Sequence, residues 1–248
     1  MRVREFGSAQ RETILLLHGG GLSWWNYRKE AELLASDYHV VLPILDGHAG
    51  SDRPFTAIED NAAELIAYID EQYQGHVLLI GGLSLGAQIL LEMLSQRGDL
   101  CRFALVESAC VIPSKLTNAL IGPAFGSSYG LIRNWRFAKL QFRSLHMDDC
   151  FFEEYYRDTC QIAKADMIAF LRANTAYSLK PSIADTTARM HVLVGGRESG
   201  TMRKSAALLR QSIPGCTEQI LPGLYHGEFS INYPDRYAAF LRTMIDGK

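Results

Sequence analysis

Residues 76–94 read HVLLIGGLSLGAQILLEML, an apolar stretch that passes directly into a pattern of helical period, with Ser84 between glycines where the two meet. The first half has the continuous apolar character of a strand covered on both faces, and the second reads as an apolar helix. Gly82, Ser84 and Gly86 form Gly-x-Ser-x-Gly at a strand-to-helix junction, the context in which that motif is a nucleophile elbow. Glycines on either side leave room for a tight turn that lifts the Ser84 hydroxyl out of the backbone at the carboxyl edge of a sheet, where open α/β sheets bind ligands. Two other readings of the stretch exist. Serine is a favoured helix N-cap, so Ser84 could simply start the helix. Gly81 to Gly86 has the outer spacing of a phosphate-binding loop, but Ala87 and Gln88 stand where that loop needs Lys and Ser or Thr, which removes nucleotide binding.

The same alternation extends in both directions. Strand-like runs occupy 13–19, 38–45, 76–82, 102–108, 190–196 and 217–223, with helical patterns near 26–36, 58–73, 84–97, 201–211 and 233–245. This order predicts an α/β fold, a mostly parallel sheet with helices on both faces. It is interrupted once, between RFALVES and MHVLVGG. Residues 111–187 hold helical patterns, no convincing strand and 11 of the chain's 25 aromatic residues, so they are expected to pack as a lid on a core formed by 1–110 and 188–248.

Composition narrows the partners. A chain of 248 residues with 48% hydrophobic side chains can bury a sizeable core, and its formal net charge of −2 gives no electrostatic case for nucleic acid. Cys101, Cys110, Cys150, Cys160 and Cys216 are odd in number and lack the spacing of a zinc or redox motif, which fits a reducing compartment. Neither a leader sequence nor a run of roughly 20 apolar residues is evident, so a cytoplasmic protein without a membrane span is expected.

A serine hydroxyl needs a base to take its proton, and the base needs a third group to orient it. His226, in LPGLYHGEFS, follows the last expected strand and so lies at the same sheet edge as Ser84. His39, His76 and His191 begin or lie within strands, His146 lies in the insertion, and His48 in a turn is the spare base. No histidines form a His-Glu-x-x-His pair, so no metal is expected. Glu198, just past the strand in VLVGGRESG, gives the chain order Ser84, Glu198, His226; Glu107, ending RFALVES, is a rival because it too terminates a core strand. Attack on a carbonyl moves negative charge onto oxygen, and backbone N–H donors must already point there. Leu85, at the start of the helix, is one expected donor. The second is expected from HGGGLS, residues 18–23, with Gly20 ahead of Gly21.

Four stations in order, LLLHGGGLSWW, LPILDGHAGSDRP, GLSLGA and GLYHGEF, resemble those of the α/β-hydrolase superfamily across essentially the whole chain. The resemblance implies a three-layer fold with a helical lid inserted after the strand that follows the elbow. Two departures stand out: Glu198 where many members carry Asp, and Ala49 where glycine is common. Asp46 is read as a side-chain cap on its own turn. The resulting expectation is a cofactor-free serine hydrolase acting on a small, partly apolar ester. A thioesterase, a carbon–carbon bond hydrolase, or a ligand-binding or signalling protein that keeps the pocket and turns over little are the alternatives. The insertion also carries Lys115, Arg133, Arg136, Lys139 and Arg143 with no acidic residue between Val111 and Met147, and the last four are expected on one helix face.

Overall fold

The computed structural model describes residues 1–247; Lys248, the end of the expected core, and the side chains of Ser127 and Ser128 lie outside the described residues. Seven strands form one sheet: β1 (Val3–Phe6), β2 (Thr13–Leu17), β3 (His39–Pro43), β4 (Val77–Leu83), β5 (Cys101–Glu107), β6 (Arg189–Gly195) and β7 (Thr217–Leu221). Their spatial order is β1-β3-β2-β4-β5-β6-β7, with β1 antiparallel to β3 and every other pairing parallel. Six of these correspond to the strand-like runs of the sequence. β1 does not, because VREF is short, half exposed and carries two charges, as suits an edge strand that must not recruit another chain.

The central strands are buried along their length, and alternate residues serve opposite faces. Leu15, Leu17, Ile80, Val106 and Val192 pack beneath α2 (Ile58–Tyr73), α3 (Leu85–Gln96) and α8 (Gly200–Ser212). Ile14, Leu16, Leu79, Phe103 and Leu193 pack on the other side against α1 (Arg28–Leu34) and α10 (Pro234–Asp246). This is the three-layer α/β fold expected. Between β5 and β6 run α4 (Lys115–Ser128), α5 (Trp135–Ser144), α6 (Phe152–Thr159) and α7 (Lys164–Ala176) with short 3-10 turns, and no strand. A single-turn α9 (Glu228–Asn232) precedes α10, and the expected first helix is shortened by a 3-10 turn at Trp24–Tyr27.

Helix α3 is buried on all sides from Leu85 to Leu94, and its two polar residues there are hydrogen-bonded: Gln88 donates to the carbonyls of Cys110 and Asn174, and Glu92 Oε1 accepts from Gln96 at 3.2 Å. Its start lies so close to the end of β2 that a side chain at Gly86 would meet the carbonyl oxygens of Leu17 and His18, and one at Gly82 would sit 2.6 Å from Gly86. Both glycines are therefore required by space. Gly86→Ala is expected to lower stability by more than about 2 kcal/mol in urea unfolding. Gly126→Ala in α4, where a methyl meets nothing within 4 Å among the described residues, should raise it by roughly 0.5–1 kcal/mol.

Candidate active site

Ser84 is the one residue between β4 and α3. Its backbone, at φ 53° and ψ −109°, is in a region that non-glycine residues rarely enter, at a cost of about 1–3 kcal/mol. The strain is held in place from two sides: the Ser84 N–H donates to the Glu107 carbonyl at 2.9 Å, and the Ser84 carbonyl accepts from Gln88 N–H at 3.0 Å. The side chain reaches a cavity of about 260 Å³ lined by Ser84, Glu198 and His226, by the apolar Leu22, Leu83, Leu145, Met147 and Ile231, and by Gly19 and Gly20.

His226 reaches this cavity because its loop lies directly on the elbow. Gly227, at φ +67°, packs against the side chain of Leu83, the residue before Ser84, to whose Cδ1 a Cβ would come within 2.8 Å. The Nδ1–H of His226 donates to Glu198 Oε2 at 2.7 Å, leaving Nε2 for a partner in the cavity. Glu198 Oε1 in turn accepts from the Gly195 N–H and from the Ser108 hydroxyl, each at 2.7 Å. Burial works against the Glu198 charge. The hydrogen bond and charge of His226, with Gly195 and Ser108, outweigh it and hold the carboxyl below its usual range.

Glu107, the rival acid, is fully buried and turned elsewhere. Its Oε1 accepts from Ser230 N–H at 3.2 Å, and among the described residues its Oε2 has no hydrogen-bond partner and no hydrogen bond joins it to His226. Burial pushes its pKa up to about 7 against the pull of Ser230, so at neutral pH it is partly protonated where Glu198 is ionised. The structure thus brings Ser84, Glu198 and His226 to one cavity and leaves Glu107 beneath it.

The glycine run after β2 is pinned by side chains. Gly19 N–H donates to Asn26 Oδ1 at 3.2 Å and Gly21 N–H to His48 Nε2 at 3.0 Å, while the Gly20 N–H has no partner among the described residues. Gly21, the second choice for an oxyanion donor, is therefore engaged, and Gly20 lies against Leu85, 3.5 Å from its Cβ to a Cβ built on the glycine. His48 is not a spare base. It is buried, its Nδ1–H donates to the Asp46 carbonyl at 2.9 Å, and burial lowers its pKa to about 4. His18, just before the glycines, is wholly buried and likewise kept neutral by burial; it accepts from Leu45 N–H at 3.1 Å and donates to the Gly19 carbonyl at 2.9 Å. Two neutral imidazoles thus tie the glycine run to the turn after β3.

Some expectations need correction. Asp46 does not cap its turn: its side chain faces Arg53 at 3.6 Å, the turn being closed by backbone bonds such as Gly47 N–H to the Arg53 carbonyl. The basic residues do not share one helix face, because Asn134 caps α5 and leaves Arg133 in the preceding 3-10 turn, while Lys139 is taken by Asp149 at 2.7 Å. Ser108, Asn26 and His18 carry structural work at the site that sequence reading did not assign. His18 had a signal, its position abutting the glycines. Ser108 had none, since its positive φ of 55° is invisible in RFALVES.

One further arrangement borders the cavity. The Tyr225 ring is stacked on His146 at 3.6 Å between centroids and 9° between planes, and Arg197 lies 5.2 Å from its ring centre and donates to its hydroxyl at 3.0 Å. Arg197 and Tyr225 immediately precede Glu198 and His226, so this stack joins the acid-bearing and base-bearing loops to the α5–α6 connection. Among the described residues no group of three His, Cys, Asp or Glu side chains is placed to hold a metal ion.

The chain belongs to the alpha/beta hydrolase family, whose sequence model matches residues 14–240. Known structures superpose over nearly the whole chain. An esterase from Exiguobacterium antarcticum gives a TM-score of 0.82 at 15% identity, covering 98% of this chain and 94% of its own. A thermophilic esterase from Thermogutta terrifontis gives 0.79 at 17%, covering 99% and 93%. A protein from Desulfitobacterium hafniense assigned to the same family gives 0.80 at 21%, covering 98% and 100%. No curated protein matches the sequence. At these identities the likeness speaks for the fold. Among the described residues no helix is long and apolar enough to cross a membrane.

The different surroundings of the two glutamates have a measurable consequence. Glu107 titrates near 7 when folded and near 4.5 when free, so its contribution to stability is complete below about 4.5 and is lost as pH rises through 7. Glu107→Gln should therefore be more stable than wild type at pH 8, by an amount on the order of 3 kcal/mol, and no better at pH 4.5. Urea midpoints of both proteins across that range check it.

Proposed function

We propose that the protein is a serine esterase in which Ser84 is the nucleophile, His226 the base and Glu198 the orienting acid. The observation that carries this reading is the 2.7 Å bond from His226 to Glu198 in the cavity that also holds the strained Ser84. His226 Nε2 accepts the Ser84 proton as Oγ attacks the ester carbonyl. The tetrahedral oxygen is held by the N–H groups of Gly20 and Leu85, the former without a partner and the latter at the first position of α3, where a helix leaves its N–H unpaired. The protonated imidazole gives its proton to the departing alkoxide, and water then releases the acyl group by the same steps in reverse order.

The apolar wall of Leu22, Leu83, Leu145, Met147 and Ile231 supports a small or medium, partly apolar acyl ester as substrate. We assign residues 111–187 as a cap. Support comes from Ser144 to Met147, which line the cavity, and from ties to the core: Trp25 Nε1–H donates to Asp158 at 2.7 Å and Arg28 pairs with Glu154 at 2.7 Å. No cofactor enters this chemistry. A cytoplasmic setting belongs to the same reading, supported by five cysteines that all stand as free thiols.

Turnover of a short nitrophenyl ester tests the assignment, alongside thioesters and diketones of matched length. Ser84→Ala should lower kcat by roughly 10⁴–10⁶ with the fold intact. Near-wild-type turnover in that variant would end the proposal. Glu198→Gln should lower kcat by about 10⁴ with KM nearly unchanged, whereas Glu107→Gln should stay close to wild type; the reverse pattern would transfer the acid role to Glu107.

A further inference from the structure

The cap segment presents an unusual surface. Of the ten large hydrophobic side chains that stand exposed among the described residues, seven lie between Leu116 and Leu145, with Leu116 74%, Leu140 68% and Trp135 51% accessible. A monomeric soluble surface seldom gathers apolar side chains in this way without a partner. On α5 the arrangement has a direction. Ala138 and Phe142 are buried against the body of the protein, while Arg136, Phe137, Leu140 and Arg143 are exposed and fall within an arc of roughly 120° at 100° per residue.

The charges that this segment itself contributes are of one sign. From Val111 to Met147 the chain has five Lys and Arg residues and no Asp or Glu. Lys139 is engaged by Asp149, but the exposed guanidinium groups of Arg133, Arg136 and Arg143 have no acidic partner among the described residues. The chain as a whole carries a formal charge of −2, so the cationic character belongs to this surface and not to the molecule. A second copy of the chain is a poor occupant, since a two-fold contact through this face would set arginines against arginines. An anionic, partly apolar surface satisfies both components. Aromatic and leucine side chains can enter a lipid headgroup boundary while neighbouring arginines meet its phosphates.

We propose that α5 and its flanks form a docking surface for anionic lipid membranes. The connection that follows α5, Ser144 to Met147, lines the cavity of Ser84, so docking places the mouth of that cavity beside the lipid surface. The proposal concerns binding and does not depend on the reaction assigned above.

Sedimentation of the intact 248-residue chain with vesicles tests it directly. The wild type should pellet with phosphatidylcholine vesicles containing phosphatidylglycerol, remain in solution with phosphatidylcholine alone, and be released by added salt. The double variant R136Q/R143Q should bind the anionic vesicles about thirtyfold more weakly. The variant L140Q should also weaken binding without altering its dependence on charge. Turnover of a soluble short ester and the urea midpoint, both expected to stay at wild-type values, verify that the variants are folded. Wild type that stays in solution with every vesicle, equal binding by R136Q/R143Q, or a dimer in sedimentation velocity that L140Q dissociates would each overturn the proposal. The last outcome would assign the face to a second copy.

Discussion

The contact between the start of α3 and the end of β2 is the constraint on which the site depends. Because Gly86 rests against the carbonyls of Leu17 and His18, the first turn of α3 and the loop leaving β2 cannot separate. That contact sets Leu85, the residue after Ser84, beside Gly20. The strained backbone of Ser84 follows from it, since the chain must leave β4, turn within one residue and enter a helix pressed against the neighbouring strand. The cost is offset by the burial of α3, from Leu85 to Leu94, in the apolar layer beside the sheet.

Around that contact, buried polar groups do the positioning. His18 and His48 are T-shaped to one another with ring centroids 4.9 Å apart, and each bonds the glycine run on one side and the segment following β3 on the other. Desolvation keeps both imidazoles neutral, and neutrality is what allows each ring to accept at Nε2 and donate at Nδ1. A charged imidazole would have two donors and would lose the Leu45 or Gly21 bond. The loop that carries Gly20 is therefore rigid for a reason distinct from its glycine content.

Much of this was legible in the sequence. Six strands, the elbow and the position of the histidine loop follow from apolar runs and glycine spacing, because those features are local. What escaped was set by contacts between distant segments. β1 is polar and is a strand only because β3 offers it an edge. Ser108 matters because it reaches Glu198 across 90 positions, and nothing in its own neighbourhood predicts that. The basic stripe failed on a single local fact, Asn134 capping α5, which a uniform 100° projection overlooks.

The two glutamates show why strand position could not separate them. Both lie at the carboxyl ends of core strands that are neighbours in the sheet, with Glu107 opposite Leu193 in the β5–β6 register. Glu107 is still within its strand, and its side chain is committed by the pleat to the face where Tyr27, Tyr237 and Glu30 are buried. Glu198 lies three residues beyond its strand, in a turn whose Glu198 N–H bonds the Gly195 carbonyl at 3.1 Å. That turn frees the carboxylate from the pleat and swings it back over Gly195 to meet Ser108 and His226. Placement outside the strand, not proximity to the sheet edge, is what gives Glu198 the histidine, and burial within it is what leaves Glu107 half protonated beneath the site.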